Sequence, residues 1–79
     1  MAAGVGPHMV DVPDPVAGQL DTMPWVARPE WLAGRFWWRV YVAGHPKVLV
    51  RYLEFAVATA KALAADELRF RHEAAGVEE

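Results

Sequence analysis

Lys47, Arg51, Glu54, Ala58, Lys61, Ala65, Arg69 and His72 recur at alternating steps of four and three. On a helix of 3.6 residues per turn these positions form one narrow stripe that faces water. Leu49, Leu53, Ala56, Ala60, Leu63 and Ala64 lie beside it on one flank. Val48, Phe55, Thr59 and Ala62 sit nearer the stripe, and Tyr52, Val57 and Leu68 extend the apolar arc. Pro46 suits a first helical position, where its missing N–H is no loss. Gly76 suits the position just past the end. The spacing therefore predicts a helix over 46–75, roughly 45 Å long at ~1.5 Å per residue. A strand reading competes at 48–53, where Val48, Leu49, Val50 and Tyr52 have high β propensity. The stripe and the alanines of 56–65 favour the helix.

The segment 24–44 admits two readings. Pro29 can open a helix, with Glu30 in its first turn, and Gly44 can close it. Gly34, inside that span, weakens the helix by roughly 1 kcal/mol. The rival is a β-hairpin in which 36–42 turns at 43–46 into 47–53. The helix is preferred, because the second half of that hairpin already carries the helical stripe. The expected fold is all-α: a two-helix hairpin, 29–43 and 46–75, within a unit spanning 24–79. An extended Pro/Gly-rich N-terminal arm, 1–23, precedes it, since Pro7, Pro13, Pro15 and Pro24 bias their neighbours towards extended backbone.

On the wheel of the first helix, Arg28, Arg35 and Arg39 align. Leu32, Phe36, Val40 and Ala43 form one flank, matched to the second helix and assigned to the hairpin's own core. Trp31, Trp38 and Val42 form the other flank, and Trp37 and Tyr41 lie towards the back. A helix apolar over most of its circumference is buried on more than one side. The hairpin is therefore expected to be completed by a partner or by self-association.

Composition narrows the function. Seventy-nine residues make at most one domain, and the absence of cysteine removes disulfides and thiolate metal sites. With neither Ser nor Cys, nucleophilic catalysis through those side chains is excluded. His8, His45 and His72 have no metal-ligand spacing, and Asp66, Glu67 and Glu73 cluster with Arg69 and Arg71 as a salt-bridged helix end. The glycines match no phosphate-binding loop. No enzyme activity and no cofactor are expected. A net charge of −2 gives no reason to expect nucleic-acid binding. Neither a signal peptide nor an apolar run of spanning length is present, so the expected location is cytoplasmic. Arg outnumbers Lys six to two and Ile is absent, a bias associated with GC-rich bacterial genomes.

The run Arg35-Phe36-Trp37-Trp38-Arg39 has the composition of a protein-interface hot spot. The expected function is a small non-catalytic accessory subunit that docks on a larger protein partner, such as an enzyme. The candidate partner-binding residues are Trp31, Trp38, Arg35, Arg39 and Val42, with Val10, Val12, Val16 and Leu20 from the arm. One alternative is a homo-oligomeric helical bundle. Another is a peripheral membrane adaptor that uses 25–38, where all four tryptophans lie.

Overall fold

The computed structural model describes residues 12–77, with side chains described through residue 73. It contains a four-stranded antiparallel sheet and one C-terminal helix. The strands are β1 (Val16–Gly18), β2 (Trp25–Leu32), β3 (Arg35–Val42) and β4 (His45–Val50). They pair in chain order as a meander, and α1 (Leu53–Val77) follows. The expected all-α helical hairpin is thus overturned. The segment 29–43 is most of a β-hairpin, and the helix begins at Leu53 instead of Pro46 because 45–50 forms the edge strand β4.

Local chemistry explains the sheet. Trp, Phe, Tyr and Val dominate 36–42, and such side chains suit a pleated, half-buried surface. Both turns are two-residue Ala-Gly pairs. Ala33 and Gly34 have φ of 55° and 80°, and Ala43 and Gly44 have 52° and 82°. Positive φ at both central residues is the type I′ geometry, whose twist matches that of the flanking strands. The glycines thus close hairpins where a helical reading makes them an interior defect and a cap.

The prolines fit the same frame. Counting from the Leu32 to Arg35 pair beside the tight turn, Pro29 opposes Trp38 at a non-hydrogen-bonded position. Its nitrogen therefore faces away from β3, where β1 does not reach, because β1 pairs only with residues 25–27. Pro46 lies in the edge strand beside an irregularity in register at Val40 and Tyr41. Edges and bulges are where strand prolines are tolerated.

One face of the sheet is covered by α1. Trp25 and Ala27 of β2 meet Trp38, Val40 and Val42 of β3, and Ala56, Ala60 and Ala64 lie on them. Three alanines at steps of four make a smooth helical strip that lets the backbone approach the sheet closely. Beyond Ala64 no further described helical residue is buried. The second half of the helix runs past the sheet, and the molecule measures 66 × 22 × 18 Å.

Candidate functional site

The sheet and the helix leave one end of the molecule rich in exposed aromatic surface. At the β2/β3 tip, Trp31 opposes Phe36 across the ladder, with ring centroids 4.8 Å apart and an edge-on angle of 75°. Both residues lie on the helix-covered face of the sheet but near its tip, and Trp31 keeps 56% of its surface exposed. Leu32 beside it is 45% exposed.

The β4/α1 junction builds the second half of the site. β4 pairs with β3 only as far as Trp38, so residues 35–37 have no β4 partner along that edge. Arg51, just past β4, fills the gap: its Nη1 donates to the Phe36 carbonyl at 3.2 Å. Its guanidinium lies 5.9 Å from the Trp37 ring centroid and 5.1 Å from that of Tyr52, within cation–π range. Tyr52 meets Phe55 edge-on at 6.2 Å. Tyr52 and Phe55 are 54% and 58% exposed. Arg51 thus has two rings, Trp37 and Tyr52, within cation–π range, while Trp31, Tyr52 and Phe55 each present more than half their surface to water. Exposed aromatic side chains gathered at one end of a molecule are typical of interaction sites.

Charge is unevenly distributed. Residues 25–51 carry Arg28, Arg35, Arg39, Lys47 and Arg51 against the single carboxylate Glu30, in a chain whose net charge is −2. Arg39 is already engaged, its Nε donating to Glu30 Oε1 at 2.7 Å. That hydrogen bond holds the Glu30 carboxyl below its ordinary pKa and raises that of Arg39. Among the described residues no carboxylate lies within ion-pair distance of Arg28, Arg35 or Arg51. The aromatic end is therefore also cationic.

The residues expected to meet a partner are dispersed by this fold. Trp31 and Arg35 both lie near the β2/β3 tip but on opposite faces of the sheet, Trp31 opposite Phe36 and Arg35 opposite Leu32. Trp38 and Val42 lie in the core, Trp38 with only 7% exposure, because in a strand they share the covered face. Arg39 lies on the opposite, open face with Glu30. Val16 belongs to β1, Val12 and Leu20 are exposed away from the ladder, and Val10 lies outside the described residues. Leu32, Arg51, Tyr52 and Phe55 join the site without having been expected there. Their proximity depends on the β4/α1 junction, which a continuous helix over 46–75 removes.

Among the described residues, no group of three or more potential metal-ligating side chains is gathered. No described helix is long and apolar enough to cross a membrane. No protein-family model, curated protein or solved structure matches the chain.

Proposed function

We propose that this protein is a non-catalytic accessory subunit that docks through its aromatic tip onto a larger protein. The observation that carries the reading is the exposure of Trp31, Leu32, Tyr52 and Phe55 at the end of the molecule where Arg51 bonds the Phe36 carbonyl and lies against the Tyr52 ring. Buried aromatic anchors and arginine provide most of the energy of typical protein interfaces. The excess of cations on the sheet favours a partner whose apolar groove is bordered by carboxylates.

A protein partner suits this surface better than single-stranded nucleic acid, which needs open ring faces for base stacking. Trp37 is committed elsewhere: its Nε1 donates to the Leu32 carbonyl at 3.1 Å, and Arg51 lies over its ring. Trp31 and Phe36, and Tyr52 and Phe55, are engaged edge-on as pairs.

The test is site-specific photocrosslinking in the source cells. A photoreactive residue is placed at Trp31, at Phe55 and, as a control, at Phe70, which is more exposed still on the far half of α1. The expected result is one discrete protein adduct shared by positions 31 and 55, lost on adding Arg35→Glu, and absent from position 70. An adduct formed equally from position 70 contradicts the proposal. So does tight binding of the purified chain to anionic vesicles or to a single-stranded oligonucleotide.

A further inference from the structure

We propose that the groove between β1 and α1 binds an apolar monocarboxylate, with its hydrocarbon body on Trp25 and its carboxylate at Lys61. The groove flanks the sheet away from the aromatic tip, so this inference is independent of the docking surface. It has a volume of about 550 Å³ and is walled by Val16, Leu20, Trp25 and Val57, with Gln19, Thr22 and Lys61 as polar members. Ligand sites of ordinary size are lined in this way, mostly apolar with a few placed polar groups.

Three features define what would fit. The first is the floor. Gly18 pairs with Trp25, and a Cβ at Gly18 would come within 2.3 Å of the indole ring. A glycine here lets the largely buried indole lie directly against the β1 backbone, so that only its remaining exposed edge lines the groove. The second is the wall: Val57 stands on the flank of α1 that faces β1, while Ala56 and Ala60 take the sheet. The third is the charge. Lys61 follows Val57 by one helical turn on the same flank, and among the described residues no carboxylate pairs with it. A single cation at the rim of an apolar groove complements a ligand with one negative charge and a hydrocarbon body. A carboxylate there gains a charge-assisted contact that a neutral analogue lacks.

The experiment is an NMR titration of the full ¹⁵N-labelled chain with decanoate, 1-decanol and decyltrimethylammonium. Decanoate is expected to shift the Trp25 indole N–H and the Gly18 and Val57 amides saturably. Lys61→Gln, at an exposed helical position that leaves folding intact, should weaken decanoate about tenfold while leaving 1-decanol unchanged. Val57→Trp, which fills the groove, should abolish both. Three results overturn the proposal: decyltrimethylammonium binding as tightly as decanoate, Lys61→Gln binding decanoate like the wild type, or saturable shifts appearing only at Trp31 and Phe55.

Discussion

Ala33 and Ala43 hold φ of 55° and 52°, in the left-handed region that costs a residue with a Cβ roughly 1 kcal/mol. Asparagine at the first central position of a type I′ turn tolerates that backbone better. Ala33→Asn, at an exposed turn, is therefore expected to stabilise the chain by about 0.5–1 kcal/mol in denaturant unfolding. A destabilised Ala33→Asn would mean the turn is not type I′. The same residues show why the hairpins were hard to read. Leu32-Ala33-Gly34-Arg35 and Val42-Ala43-Gly44-His45 are the same device ten residues apart, but neither carries the Asn-Gly or Asp-Gly pair that marks such turns most clearly. The ion pair between Arg39 and Glu30 makes a second residue-level prediction. Because the Glu30 pKa is depressed on folding, its contribution is present above the unfolded-state value and is lost as pH falls through the folded-state value. Glu30→Gln should flatten the acid limb of stability against pH below about 4.5 and leave the rest of the profile shape unchanged.

Elements were legible in unequal measure. The body of the helix could be read from its stripe, and Ala56, Ala60 and Ala64, expected on its apolar flank, are fully buried. They pack on a sheet and not on a second helix. The residues 36–42 satisfy both periods, since aromatic and aliphatic side chains occupy nearly every position and period 2 and period 3.6 then predict equally well. What decided the outcome is tertiary: strand pairing places Trp38, Val40 and Val42 on one face, where the alanine strip can cover all three. Trp38→Ala is accordingly expected to cost about 3–5 kcal/mol of folding stability in the isolated chain, as removal of a buried indole does. Ala60→Leu should cost about 1–3 kcal/mol by forcing α1 away from the sheet. Thermal melts of both variants check this, and unchanged melting of either would remove its side chain from the core.

At the scale of the molecule, a short sheet covered on one face by a long helix leaves, among the described residues, the aromatic tip, the open sheet face and the far half of α1 uncovered. The open face is in large part self-satisfied, with Arg39 paired to Glu30 and Trp37 bonded to the Leu32 carbonyl. The far half of α1 carries exposed Phe70, but around it Arg69 pairs with Asp66 and Arg71 with Glu67, as on a solvated helix. Among the described residues, the tip combines several exposed aromatic side chains with the unpaired cations Arg35 and Arg51. Trp31 and Arg35 stood out in composition; Tyr52 and Phe55 did not, because their place at this end depends on the chain leaving β4 at 50–53 to enter α1.

The most direct test of that conclusion is a binding titration of single-alanine variants against the partner captured at position 55. Trp31→Ala and Phe55→Ala should each weaken association by at least ~2 kcal/mol, about thirtyfold in Kd, with little change in melting temperature. Phe70→Ala, at a still more exposed aromatic, should bind like the wild type. If Trp31→Ala and Phe55→Ala bind normally and Phe70→Ala takes the loss, the docking surface is the far half of α1 and the account given for the tip is wrong.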